Sequence, residues 1–150
     1  MAGSAPDTFP SILERREGYR RAMAAAGLEP LFVDGHHDEP SGVTARLISE
    51  LDRVPDITGV IAANDEVAVT ILGELAPLVP SRLSMIGFDD IDAASKVRPR
   101  LDTVAVDKQS MGRLAVAMLV HRVSYPDDPA FTAVQPVSLV VRDSAGPPPT

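Results

Sequence analysis

The chain has 150 residues with 14 Lys+Arg against 21 Asp+Glu, a formal net charge of −7, and 45% apolar residues. That length supports a single domain with a buried core, and the apolar share is too high for a charge-driven disordered chain. The acidic surplus argues against this chain gripping DNA by itself, because phosphate contacts need clustered Lys and Arg. With no cysteine, disulfides and thiolate chemistry are excluded.

No apolar run approaches the roughly 18–20 residues a membrane helix needs, so no membrane partner is expected. The first ten residues lack both a basic start and an apolar stretch, so they do not read as a signal peptide, and a cytoplasmic setting is expected. Residues 1–10 read as a flexible leader. Ser11 and Glu14 have capping-box spacing and predict a helix to about Ala26, with Ile12, Tyr19, Ala22, Met23 and Ala26 on one face and Gly27 as terminator. A short buried strand is expected over 31–33, then a loop from Asp34 to Pro40 carrying His36 and His37. Ser41 is placed to cap a second helix whose inward residues are Val43, Leu47, Ile48 and Leu51, closed by Pro55.

Residues 59–63 form the clearest strand, apolar throughout as in a parallel strand covered on both faces. Asn64 and Asp65 then cap a helix carrying Val67, Ala68, Ile71, Leu72 and Leu75, and Pro77 and Pro80 end it. A second continuous apolar strand spans 83–88. It leads through Asp89 and Asp90 into a loop and a short helix near 91–94. A strand over 103–106, a helix over 108–123 and a last strand over 137–141 complete the chain, followed by a proline-rich tail over 144–150. Strands alternating with helices through short links predict an α/β domain with a mostly parallel sheet. In such sheets ligands sit at the carboxyl ends of strands, which singles out His36/His37, Asn64/Asp65 and Asp89/Asp90.

Several stretches resemble lactose-repressor-type (LacI-type) transcriptional regulators. They are Arg15-Arg16-Glu17-Gly18-Tyr19, Ile61-Ala62-Ala63-Asn64-Asp65 and Met85-Ile86-Gly87-Phe88-Asp89-Asp90. Leu101-Asp102-Thr103-Val104 with Met111-Gly112-Arg113-Leu114-Ala115 and the ending Leu139-Val140-Val141-Arg142-Asp143-Ser144 complete the set. Each is weak alone, but their order and spacing match the family over roughly residues 11–148. The resemblance implies a three-layer α/β sandwich, the C-terminal lobe of a periplasmic-binding-protein-like fold. It implies that the helix-turn-helix and most of the N-terminal lobe lie outside this chain. It also implies that residues 11–143 form the effector-binding lobe, with the 108–123 helix normally packed in the N-terminal lobe.

The resemblance implies effector contacts at Arg15, Asn64, Asp89 and His37. Arg15 places positive charge early in a helix, against the dipole, unless Glu14 and Glu17 neutralise it. Asn64 can cap the helix with one group and bind with another, or simply cap. Asp89 follows an apolar strand with no local charge partner, and the family uses this aspartate to accept hydrogen bonds from sugar hydroxyls or a base nitrogen. Asp90 and Asp92 read as turn residues and caps, and neighbouring carboxylates rarely flank one bond as a catalytic pair. His36 and His37 match no metal-ligand spacing, so they read as a surface loop with His37 open to an effector role. Two features depart from the family. Val106 stands where a polar contact is usual, and the stretch between Asn64-Asp65 and Met85 is about three residues short, through the turn 76–80 near the family's dimer interface.

No cofactor or metal is expected. No P-loop, G-x-S-x-G, H-E-x-x-H or G-x-G-x-x-G is present, so an enzyme is not expected. The function implied is the effector-binding and dimerising part of a regulator, taking a sugar or nucleoside-like molecule and touching DNA only through the N-terminal domain. The alternative is the sugar-binding component of an ABC transporter. Met111, Leu114, Ala115, Met118 and Leu119 form an apolar helical stripe. Leaving its four large side chains in water forgoes roughly 6–12 kcal/mol at about 1.5–3 kcal/mol each. That compares with the ~5–15 kcal/mol total of a small domain. The stripe is therefore expected to fold back or to pair between chains.

Overall fold

The computed structural model describes residues 1–4, 9–35 and 40–147. Its elements in chain order are β1 (Ala2–Ser4), α1 (Pro10–Ala25), β2 (Val33–Gly35), α2 (Pro40–Arg53), β3 (Gly59–Ile61), α3 (Asp65–Leu75), β4 (Ser84–Phe88), α4 (Asp92–Lys96), β5 (Asp102–Val106), α5 (Lys108–Ser124) and β6 (Val137–Val140). A four-stranded sheet has the order β3-β4-β5-β6. The β3–β4 and β4–β5 pairs are parallel, with Val60 opposite Met85 and Gly87 opposite Thr103, and β6 runs antiparallel to β5. This is the expected mostly parallel α/β sheet. β1 and β2 pair in parallel as a separate two-stranded sheet.

The core forms where α2 and α3 lay their apolar faces against the sheet. Val43 and Leu47 of α2 meet Ala68, Ile71, Leu72 and Leu75 of α3, with Val60, Ala62, Leu83 and Met85 from the sheet side and Leu101 closing one end. The inward positions expected on these helices are buried or half-buried. α1 is different. Ile12 and Arg16 are its buried residues, while Ala22 and Ala26 are exposed. It docks through polar and aromatic groups: Arg16 pairs with Asp34 and stacks 4.1 Å over Phe32, and Tyr19 meets Phe32 edge-on at 5.3 Å.

Several local expectations are corrected. Ala2–Ser4 is a strand inside the span read as a leader, a pairing that small residues do not announce and that exists only because β2 lies alongside. α1 starts at Pro10 with Phe9 as its N-cap, so Ser11 lies inside the helix and no capping box forms. Proline at the first helical position lacks only an N–H that would be orphaned anyway, and its fixed φ opens the helix early. Pro40 likewise starts α2, with Ser41 inside it. The strand expected over 31–33 begins instead at Val33, where pairing with β1 begins. Along the expected 59–63 segment Val60, Ala62 and Ala63 are buried and Ile61 is 41% exposed, so one face is open at Ile61 while the end of the segment is covered.

α5 forms as expected but contains no buried residue. Leu114 and Met118 of the expected stripe are half-buried, while Met111, Ala115 and Leu119 are exposed. Val116, Leu119, Val120 and Val123 add a second exposed row at i, i+3, i+4 and i+7, between 59% and 74% exposed. On the antiparallel β6, Val137 and Leu139 are exposed as well. Among the described residues the stripe does not fold back into a core.

Candidate functional site

The parallel strands β3, β4 and β5 all end on one edge of the sheet, and the chain turns there into α3, into the loop before α4 and into α5. Asn64 follows β3. Its side-chain oxygen accepts from the backbone N–H of Val67 at 2.9 Å, which caps α3. The carboxamide NH2 points to no described protein acceptor. The cap expected from sequence is therefore formed, with one half of the amide uncommitted.

Asp89 follows β4 with a backbone φ of 110°, and Asp90 has a φ of 47°. Positive φ is unfavourable for residues bearing a Cβ, and Asp tolerates it better than most. The turn is held from several sides. The Asp89 N–H donates to Val104 O at 2.9 Å, and Lys108 Nζ donates to Asp89 O at 2.6 Å. Arg142 pairs with the Asp90 carboxylate at 2.5 Å, and the Ile91 N–H donates to Asp65 Oδ2 at 2.9 Å. Asp90 is thus the turn residue the sequence suggested, with an ion pair added. Asp92 opens α4 rather than capping it, since the N-cap is Ile91.

Arg15 reaches across from α1 to this edge. Its Nη1 donates to Ala63 O at 2.7 Å, its guanidinium lies 3.8 Å from the Phe88 ring centre, and its Nη2 stands 4.0 Å from Asp89 Oδ1. Glu17 pairs with Arg20 and Arg21, both at 3.6 Å, so it does not neutralise Arg15. The structure thereby brings Arg15, Asn64 and Asp89 together. His37 lies outside the described residues. Val106 ends β5 at the same edge and is half-buried.

Burial pushes the Asp89 carboxyl above the usual carboxylate range, and the charges of Asp65 and Glu66 push the same way. Arg15 and Lys108 pull it down and offset part of that rise. The result is a partly desolvated carboxylate beside a guanidinium whose full pairing distance is not closed. Such a pair can accept from and donate to neighbouring hydroxyls of one small polar molecule.

Sequence reasoning missed three contributors. Phe88 serves as the surface on which Arg15 rests, and Lys108 ties α5 to the Asp89 turn. Asp65 is fully buried and takes hydrogen bonds from Thr103 Oγ1 and Ile91 N, whereas its place at a helix start suggested only a cap. No group of three or more metal-ligating side chains occurs among the described residues. A shallow groove of about 200 Å³ lined by Phe32, Val33, Asp34, Arg46, Ser49 and Glu50 shares no residue with this cluster.

A family profile described as a periplasmic binding protein-like domain matches residues 1–145. The chain belongs to that family. Its curated relatives include the HTH-type transcriptional regulator CelR of Thermobifida fusca, 32% identical over 145 residues, covering 93% of this chain and 42% of the relative. The ribose operon repressor of Escherichia coli K12 is 38% identical over 128 residues, covering 80% of this chain and 38% of the relative. The chain therefore spans less than half the length of these relatives.

Among solved structures, a transcriptional regulator CelR–cellobiose complex superposes with a TM-score of 0.84 at 30% identity, covering 96% of this chain and 46% of that one. A LacI-family regulator from Enterococcus faecium with bound ribose gives a TM-score of 0.82 at 25% identity, covering 97% and 56%. The relatives are thus LacI-family regulators, several with bound sugars, and they favour the regulator reading over the transporter one. Named relatives are regulators rather than enzymes. No helix among the described residues is long and apolar enough to cross a membrane.

Proposed function

We propose that this chain is the effector-binding and dimerising part of a LacI-family transcriptional regulator acting in the cytoplasm, and that its effector is a sugar or a related small molecule. The observation that carries this reading is the convergence of Arg15, Asn64 and Asp89 at the carboxyl edge of the sheet. Asp89 accepts hydrogen bonds from adjacent sugar hydroxyls, Arg15 donates to a ring or hydroxyl oxygen, and the Asn64 NH2 donates to a third. These three groups alternate acceptor and donor, which suits a polyol whose hydroxyls do both.

Regulation follows by linkage. A sugar that binds one arrangement of the two lobes better than another shifts that equilibrium, and the shift changes DNA affinity elsewhere in the regulator. With a net charge of −7, this chain leaves DNA reading to other segments of the regulator.

The test is a titration of the chain with ribose and with cellobiose, followed by amide chemical shifts. Saturable shifts centred on Arg15, Asn64 and Asp89 are expected, and Asp89→Asn should abolish them. If neither sugar, nor a panel of pentoses, hexoses and nucleosides, moves these resonances at millimolar concentration, the effector-binding reading is wrong.

A further inference from the structure

The turn that carries Asp89 cannot hold itself. Asp89 and Asp90 both have positive φ, at 110° and 47°, and the loop runs between the end of β4 and the five-residue α4. What anchors its far end is a buried carboxylate. Asp65, the first residue of α3, is fully buried, and each of its oxygens has one partner: Thr103 Oγ1 donates to Oδ1 at 2.6 Å and Ile91 N donates to Oδ2 at 2.9 Å. Thr103 is also fully buried, on β5. The carboxylate therefore ties three elements at one point, the start of α3, the middle of the sheet and the loop two residues beyond Asp89.

The neighbouring strand is shaped for it. A Cβ added at Gly87 would overlap Asp65 Oδ1 and stand 3.0 Å from Leu101 Cδ2. Gly87 has no positive φ, so its backbone does not demand glycine. The space beside β4 is taken by the carboxylate instead.

We propose that Asp65 is the positioning residue of the effector site: it sets the Asp89 turn by holding the Ile91 N–H, and Gly87 is glycine to admit it. Asp65 does not touch the ligand. It acts on affinity through the placement of Asp89. This rests on the effector-binding reading above, but one of its readouts needs no ligand.

The experiment compares the 150-residue chain with Asp65→Ala, Asp65→Asn and the double variant Asp65→Ala/Gly87→Ala. In the double variant the new methyl takes part of the space the carboxylate leaves, with Leu101 Cδ2 3.0 Å away, so the cavity is reduced without the hydrogen bonds. Should Asp65→Ala fail to fold, the double variant carries the test. The Ile91 amide should exchange with solvent about tenfold faster in both alanine-bearing variants, since its buried acceptor is gone. Ribose affinity should fall by about tenfold or more in the same variants. Asparagine can accept from Ile91 with its oxygen and donate to Thr103 with its NH2. Asp65→Asn should therefore keep Ile91 exchange and ribose affinity within about threefold of the starting chain.

An unchanged Ile91 exchange rate in the folded double variant overturns the proposal, and so does ribose affinity equal to that of the starting chain. If the starting chain binds no sugar, the effector reading fails and the Ile91 exchange alone decides whether Asp65 holds the turn. Both alanine-bearing variants should melt below the starting chain, because Thr103 Oγ1 and Ile91 N lose their acceptor. Affinity is therefore compared at a temperature where every variant is folded: a purely structural Asp65 predicts unchanged ribose affinity in the folded double variant, whereas a positioning Asp65 predicts its loss.

Discussion

Asp89 occupies a costly position on two counts. Its φ of 110° is disfavoured for a residue with a Cβ, and burial raises its carboxyl above the ordinary range. Costs of this kind concentrate at binding sites, where stability is traded for chemistry. Because the folded-state value is raised, the folded chain holds this proton more tightly than the unfolded chain. The contribution of Asp89 to stability is therefore most favourable at low pH and declines as pH rises from the ordinary carboxylate range through the raised value. Asp89→Asn removes the charge and keeps the side-chain shape, and Asn accepts positive φ well. Its unfolding midpoint at pH 7 should equal or exceed that of the starting chain while sugar binding is lost; a clear fall in the midpoint contradicts this account. Sugar affinity should depend on pH with the opposite sign. It requires the ionised carboxylate, so it weakens as pH falls through the raised value. A titration over about pH 4–7 by calorimetry should show the loss beginning above the ~3.9 of a free aspartate.

At the scale of elements, a second buried aspartate shows how the sheet is tied to the segment beyond β6. Asp102 of β5 accepts from Arg142 N at 3.0 Å, Ser144 N at 2.6 Å and Ala145 N at 3.0 Å. The Ser144 hydroxyl accepts from Asp102 N at 2.7 Å and lies 2.7 Å from Met85 O. Both side chains are almost wholly buried. Asp102→Ala leaves the buried Ser144 N–H without its acceptor and removes two part-buried hydrogen bonds, from Arg142 N and Ala145 N, and should cost about 2–3 kcal/mol, read from urea melts. A loss under about 1 kcal/mol would mean that water or a shifted backbone satisfies these donors.

The same scale shows what was legible. Helices α2, α3 and α5 and strands β4 and β5 carry strong periodicity or continuous apolar runs, and Asn64 caps where its type and place predict. Ser11 and Ser41 look like caps in the sequence, but Pro10 and Pro40 open α1 and α2 first. β1 was invisible because Ala, Gly and Ser have no strand signature and its order comes from its partner.

The whole molecule has an unbalanced surface. Leu119 and Val123 of α5 are 63% and 74% exposed, and β6 adds Val137 at 55% and Leu139 at 60% on the neighbouring antiparallel strand. A row of exposed apolar side chains along one helix face marks a candidate interaction face. With folding back not observed among the described residues, the expectation narrows to pairing between copies. Light scattering should show self-association of the chain. Leu119→Glu with Val123→Glu should shift it to a monomer with unchanged helix content, because neither side chain is in the core. A monodisperse monomer without these substitutions, with α5 exposed, overturns the expectation that the stripe pairs between copies.

The sequence by itself determined the order and type of the main elements, the α/β class and the edge of the sheet where polar residues collect. These rest on local periodicity, helix signals and the rule that parallel strands end together. It also singled out Arg15, Asn64 and Asp89 one by one. Only the tertiary structure decided that they meet, because Arg15 crosses from α1 to Ala63 and Phe88, 48 residues away in the chain in the first case. Only the tertiary structure revealed Asp65 and Asp102 as buried knots, since a carboxylate at a helix start or strand start looks the same in sequence whether it faces water or two distant donors. Hydrogen bonds between remote segments depend on where packing brings the chain, and no local pattern encodes that.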